Sequence, residues 1–197
     1  MFFLQNTKTR TLVLISLFAA LTAVGAFIKI PTPVVPFTLQ FFFCAFSGLL
    51  LGAKAAFYSQ ILYIFIGLAG LPVFTGGGGL MYIFQPTFGY LIGFAFCAYL
   101  IGRFTDQAEK FRFLTLFAVI VLGLMIVYVF GVLHLYLILN YYLDKDVSLL
   151  QSLWIGFLPY ISFDVLQSAV IAYIAKRVLP LLRKSGYIVE PSPSVHH

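Results

Sequence analysis

The chain has 197 residues, 62% of them apolar and 9% charged, and a net charge of +6. Soluble domains carry roughly 45–50% apolar and about 25% charged residues, so this composition excludes a water-soluble globular domain. It predicts a single integral membrane domain over residues 1–197, an all-α membrane protein built as a six-transmembrane-helix bundle, because no polar stretch is long enough to fold outside a bilayer.

About 20 apolar residues cross a hydrocarbon core, and turn or charge signals divide the chain into six such spans: 11–29, 38–53, 55–71, 87–102, 113–138 and 152–179. The first follows Lys8 and Arg10 as the core of a signal peptide would. Its length and the hydrophobic chain beyond it predict a retained helix instead. It carries Ala19, Ala20, Ala23 and Ala26, and the Ala19/Ala23 pair sets a small-xxx-small face on which another transmembrane helix can pack closely. That helix belongs either to a partner chain or to the bundle itself. The prolines at 31, 33 and 36 then favour extended backbone ahead of Thr38 and Gln40.

Between Lys54 and Arg103 lie 48 residues without Asp, Glu, Lys or Arg, yet their middle holds the consecutive glycines Gly76, Gly77, Gly78 and Gly79. Four glycines in a row cannot hold a spanning helix, and irregular backbone at membrane depth is tolerated only where protein or a water-filled cavity satisfies it. The segment is expected to be a mobile lid over a site. Thr87 and Tyr90 open the next span just after Pro86. A helix N-terminus there suits an anionic ligand group, although ordinary helix entry with Thr87 as the cap produces the same pattern.

In the fifth span His134 has Tyr128 and Gly131 on nearby turns and reads as a hydrogen-bonded bundle residue, having no Cys, Asp or second His in reach. The other histidines, His196 and His197, end the chain. Cys44 and Cys97 sit in apolar runs without metal-like spacing and are expected as buried thiols. With neither a metal-ligand cluster nor a phosphate-binding loop, no metal, no cofactor and no catalytic residue are expected.

The sixth span contains Asp164, the one acidic residue inside any predicted span. An intramembrane carboxylate is unfavourable by roughly 2.5–3.5 kcal/mol on insertion scales, so it marks a cavity or a partner. Helical spacing places Tyr160, Asp164, Gln167, Ser168 and Ile171 on one face. This polar stripe is the expected core of a binding site, against the plainer reading of a protonated Asp164 bonded to a backbone carbonyl.

With the N-terminus inside, Lys8, Arg10, Lys54, Arg103, Lys110, Arg112, Lys176, Arg177, Arg183 and Lys184 are cytoplasmic, and only Lys29 and Lys145 fall outside. That bias predicts cytoplasmic termini and an exterior position for the proline segment, the glycine loop and the Asp144–Asp146 loop. The net charge then reflects topology, and no nucleic-acid partner is expected.

The stretches 33–40 and 47–52, the loop from Gly70 to Gly79, Pro86 through Phe94, and Gly156 through Tyr160 ahead of Asp164 resemble, in order, the BioY family. These are the biotin-specific S components of energy-coupling factor (ECF) transporters. The resemblance runs from about Ala19 to Val178 and implies six helices, a vitamin pocket toward the exterior, and an alanine-rich first helix. That helix would dock on a transmembrane coupling subunit driven by two ABC-type ATPases on separate chains. It implies no cofactor and a multi-pass protein of a prokaryotic plasma membrane. The family commonly shows Asp-x-x-Lys in the last helix where this chain has Asp164 and Gln167, which donates hydrogen bonds without charge.

Biotin fits the stripe chemically: its ureido N–H groups suit Asp164, its ureido carbonyl suits Gln167, and aromatic walls suit its ring. The expected substrate-binding set is Asp164, Gln167, Tyr160, Thr87, Tyr90, Gly76, Gly77, Gly78, Gly79 and Gln40. The ligand carboxylate is placed near the glycine amides or the start of the fourth span, with Lys29 as a further counter-ion. Alternatives are an S component for another vitamin, a small membrane enzyme using Asp164 as acid or base but lacking a paired group, and a structural membrane subunit.

Overall fold

The computed structural model describes residues 3–32, 34–108 and 110–185, with the side chains of residues 3–7 and Arg183 not included. Pro33 of the proline segment, the Arg183 side chain of the charge count, and His196 and His197 therefore lie outside the described residues.

Among the described residues seven α-helices carry the fold: α1 Phe3–Phe27, α2 Gln40–Leu51, α3 Ala53–Leu68, α4 Phe88–Gln107, α5 Phe113–Tyr141, α6 Leu149–Gly156 and α7 Leu158–Lys184. Four of the described segments are long and apolar enough to cross a membrane: Lys8–Phe27, Phe88–Gln107, Phe113–Tyr141 and Leu158–Leu182. At 1.5 Å per residue α2 and α3 reach only about 18 and 24 Å, shorter than a hydrocarbon core of roughly 30 Å. They meet at Gly52, whose φ of +78° is the left-handed backbone that turns one into the other. The turn thus falls two residues before Lys54.

The predicted last span, 152–179, is not one helix. Pro159 has no N–H for the carbonyl four residues back, and the Tyr160 amide bonds Phe157 O at 3.1 Å in place of Gly156 O. The chain breaks between α6 and α7, and the carbonyl of Gly156 accepts from the hydroxyl of Tyr90 at 2.8 Å.

Helix α4 is the centre of the bundle, packed on α5, α3 and α2, with α1 against α2 and α3, and α7 against α5 and α2. Small residues permit this closeness. A Cβ at Gly93 would stand 2.7 Å from Val127 Cα on α5, and one at Gly48 2.8 Å from Ala98 O on α4. Between α1 and α2 the chain forms an antiparallel hairpin, β1 Lys29–Ile30 with β2 Phe37–Thr38, Lys29 opposite Thr38. A 3₁₀ helix, Leu80–Phe84, connects the glycine segment to α4. The hairpin, the glycine segment and the α4 start share one end of the bundle, because α2 leaves that end and α3 returns to it.

Candidate functional site

The polar stripe of α7 faces inward. Ile171 and Ser168 are fully buried, and Gln167 and Tyr160 nearly so. Asp164 is half-buried and borders a cavity of ≈ 50 Å³ whose walls come from the hairpin (Val35 to Thr38), α2 (Phe41), α4 (Tyr90, Phe94), α5 (Leu124, Val127, Tyr128) and α7 (Tyr160). The carboxylate is shared between two donors. Tyr128 donates its hydroxyl proton to Oδ2 at 2.5 Å, and Gln167 Nε2 donates to Oδ1 at 3.2 Å. Ser168 closes the helix side, donating to the Asp164 backbone carbonyl at 2.8 Å.

Gln167 is the asymmetric member of this set. Its Nε2 is used twice, toward Asp164 and toward Thr38 O at 3.3 Å, whereas its buried Oε1 has no partner. A buried acceptor without a donor is unfavourable by about 1–3 kcal/mol, and Gln167 itself lies outside the cavity lining. Above the carboxylate, Tyr160 meets Thr32 Oγ1 at 3.1 Å and packs on Phe37 with ring centroids 4.6 Å apart. These contacts hold the hairpin over the cavity.

Tyr90 lines the same cavity, with its hydroxyl directed to Gly156. The remaining expected residues lie beside it. Gln40 is buried and donates to Tyr63 OH at 2.9 Å, and Tyr63 donates to Val73 O at 3.1 Å. Thr38 Oγ1 donates to Gln40 Oε1 at 3.2 Å, so a chain of hydrogen bonds runs from Asp164 through Gln167, Thr38, Gln40 and Tyr63 to the glycine segment. Thr87 does not cap α4 with its side chain; its hydroxyl meets Tyr82 OH at 3.0 Å, and Tyr82 meets Thr75 Oγ1 at 2.9 Å.

The structure places Gly76, Gly77, Gly78 and Gly79 outside the cavity lining, in a closed turn. Phe74 and Gly77 exchange backbone hydrogen bonds of 2.9 and 3.2 Å, and the Gly79 amide donates to Gly67 O at 2.7 Å. Phe74, 2% exposed, plugs the turn against Tyr63 and Tyr82. The expected anion cradle is correspondingly depleted. The amides of Gly77 and Gly79, like those of Phe88 and Tyr90 at the start of α4, already bond backbone carbonyls. Lys29 is drawn to the same turn, its ammonium donating to Thr75 O at 2.5 Å.

The α1 face needs a correction. Ala19 is 2% exposed and belongs to the protein's own core, with Ala23 half-buried beside it, because α1 turns this side toward α2 and α3. The exposed side of α1 instead shows Leu12, Val13, Leu17, Ala20 and Val24. His134 is a bundle residue, its Nε2 within 3.1 and 3.2 Å of Ile83 O and Gln85 O. Cys44 and Cys97 are buried free thiols.

Sequence reasoning missed Tyr128 as the carboxylate's main partner, and Thr32, Phe37 and Phe41 as walls and latch. A signal for Tyr128 was present: it is the single polar side chain between Leu116 and Leu133. A hydroxyl in so apolar a helix has to find an acceptor on a neighbour. The hairpin residues carry no such signal.

The BioY family model matches residues 4–184. A "Probable biotin transporter BioY" of Lysinibacillus sphaericus is 46% identical over 185 residues, 94% of each chain. A "Biotin transporter BioY" of Thermotoga maritima is 39% identical over 173 residues, covering 87% of this chain and 97% of that one. Among solved structures, the S-component for biotin from an ECF-type ABC transporter superposes with a TM-score of 0.76 at 27% identity, covering 93% of this chain and 98% of that one.

Proposed function

The chain belongs to the BioY family, and we propose from that premise that the Asp164 cavity is where it holds biotin. The protein serves biotin uptake as the substrate-binding component of an ECF transporter, and it is not an enzyme. The observation that carries the site is a half-buried intramembrane carboxylate, Asp164, lining a cavity walled by Tyr90, Tyr128 and Tyr160, with Gln167 bonded to it from outside the lining.

In this reading the ureido ring enters between Tyr90, Tyr128 and Phe41. Its N–H groups are accepted by Asp164, and its carbonyl takes the Gln167 Nε2 proton that otherwise bonds Thr38 O. Tyr128 fixes the carboxylate, so that one oxygen stays aimed at the ligand. The apolar ring system packs on Phe94, Leu124 and Val127. The carboxylate tail reaches toward the hairpin and the glycine turn, where Lys29 is the nearby cation. At ≈ 50 Å³ the cavity is far smaller than the roughly 300–1,000 Å³ of small-molecule pockets. Entry therefore requires the hairpin to lift, breaking the Thr32–Tyr160 contact and the Phe37 ring contacts, and ligand contacts favour its return.

Six crossings follow if α2 and α3 each count as a short span and α6 with α7 as one broken span. Both termini are then cytoplasmic, as the distribution of Lys and Arg supports, and the cavity opens to the exterior of a prokaryotic plasma membrane. A transmembrane coupling subunit and ABC-type ATPases on separate chains drive release inward. Reporter fusions at each end test this orientation.

The ligand is tested by incubating purified protein with an equimolar vitamin mixture, washing, and identifying what remains by mass spectrometry. Biotin retained by the unmodified protein and lost in Asp164→Asn supports the site. Another vitamin retained in its place would make Gln167, standing where the family commonly has Lys, the mark of changed specificity.

A further inference from the structure

At the end of the bundle away from the hairpin, an open groove of ≈ 550 Å³ runs between the α2–α3 turn and α4, lined by Leu51, Gly52, Ala53, Lys54, Ala55, Tyr99, Arg103 and Asp106. Its floor is fixed. Asp106 Oδ2 accepts from the Ala53 amide at 3.0 Å, and a Cβ at Gly52 would collide with the Asp106 carboxylate. A Cβ at Gly102 would stand 2.5 Å from Ala53 N, so α4 and the turn are in backbone contact. The start of α3 is thereby already closed by protein, and Asp106 is committed to it.

On this floor Lys54 and Arg103 project as exposed side chains from two different helices into one groove, and Tyr99 stands beside them 43% exposed. Two cations against one committed carboxylate leave the groove net positive. Its upper wall continues into Phe57, Tyr58 and Phe96, whose rings pack edge to face along α3 and α4 on the membrane-facing surface. A cationic end and an apolar wall match an amphiphile with an anionic head.

We propose that this groove is a binding site for the phosphodiester headgroup of an anionic phospholipid. Arg103, whose terminal nitrogens lie 3.3 and 3.2 Å from the Gln107 amide oxygen, exchanges that neutral contact for the phosphate through its planar pair of N–H donors, Lys54 adds a point charge, Tyr99 offers its hydroxyl at the polar boundary, and the acyl chains lie along the Phe57 and Phe96 rings. Basic pockets between transmembrane helices at a membrane surface recognise such headgroups, and each basic side chain contributes roughly 1 kcal/mol, about fivefold in affinity. Because Asp106 anchors α3 to α4, an occupied groove clamps the two helices that lead to the glycine turn.

The test is native mass spectrometry of the full-length protein with phosphatidylglycerol and phosphatidylcholine supplied together in equal amounts. The unmodified protein is expected to retain phosphatidylglycerol over phosphatidylcholine by roughly twenty-five-fold, two cations at about fivefold each. The double variant Lys54→Gln/Arg103→Gln should lose that preference while binding biotin normally, which reports an intact fold. Should the double variant fail to fold, Lys54→Gln alone is read, with a loss of about fivefold expected. An unchanged preference in the variant that folds overturns the proposal. Inorganic phosphate or free glycerophosphoglycerol displacing the lipid at equal concentration overturns it as well, since the groove would then be a site for soluble anions.

Discussion

The glycine turn and the Asp164 cavity lie at the same end of the bundle and behave in opposite ways. The turn, rich in residues that permit any backbone angle, is closed: the amides of Gly77 and Gly79 are bonded, Phe74 fills it, and a Cβ at Gly78 would strike the carbonyl of Leu71. The cavity, made by helices and a short hairpin rich in Pro and aromatic residues, keeps its unfilled space beside the Asp164 carboxylate. Glycine here serves close packing, and open space lies instead beside the carboxylate.

Phe74→Ala attacks the closed region directly. Removing a fully buried aromatic ring is expected to destabilise the protein by about 3–5 kcal/mol, read as a clear fall in thermal unfolding temperature, and an unchanged unfolding temperature would mean the turn is not held by its plug. Asp164→Asn attacks the other region and should do the reverse. Biotin affinity falls by about 1.5–3 kcal/mol, tenfold to more than a hundredfold, with little change in unfolding temperature. Normal biotin binding by a folded Asp164→Asn protein would take the ligand out of this cavity.

The pair Gly77→Ala and Gly78→Ala sharpens the contrast. Gly77 has φ +117° and Gly78 no room for a Cβ, so the double substitution should destabilise the turn by about 1–3 kcal/mol. In the unmodified protein, protease cleavage within the hairpin at 29–38 should be suppressed by biotin, while cleavage at Gly76 to Gly79 is slow with or without it. Biotin-dependent protection confined to the glycines would restore them as the moving element. The smallest effect is expected from Gln167→Lys, which supplies an opposite charge three residues from Asp164 and should leave biotin affinity unchanged or raise it by up to about tenfold. Strong loss of binding in a folded Gln167→Lys protein would show that the cavity depends on the neutral side chain and its free Oε1.

Much of the helical layout was legible because periodicity and charge act locally. The third, fourth and fifth spans start within two residues of α3, α4 and α5, and an isolated Asp in an apolar run identified itself by the energy of burying a charge. The sixth span was read as continuous because its hydrophobicity is continuous. Its break depends on Pro159 together with a hydroxyl on α4 that takes the carbonyl of Gly156. For Ala19 the small-residue spacing was correct, but spacing cannot say whether the helix that uses it belongs to the same chain. The site divides in the same way. Tyr160, Asp164 and Gln167 share a face by helical geometry alone, while Tyr128 stands 36 residues earlier in the chain.

The sequence by itself determined that this is a membrane-embedded helix bundle with a polar stripe around Asp164, and its ordered motifs pointed to the family. Composition, period and insertion energy are properties of single segments. Only the tertiary structure decided which side of α1 is covered, that Gly77 and Gly79 are bonded into a turn, and that the hairpin roofs the cavity. Those outcomes depend on which hydrogen-bond donors and acceptors find each other across helices far apart in the chain, and no local pattern encodes that pairing.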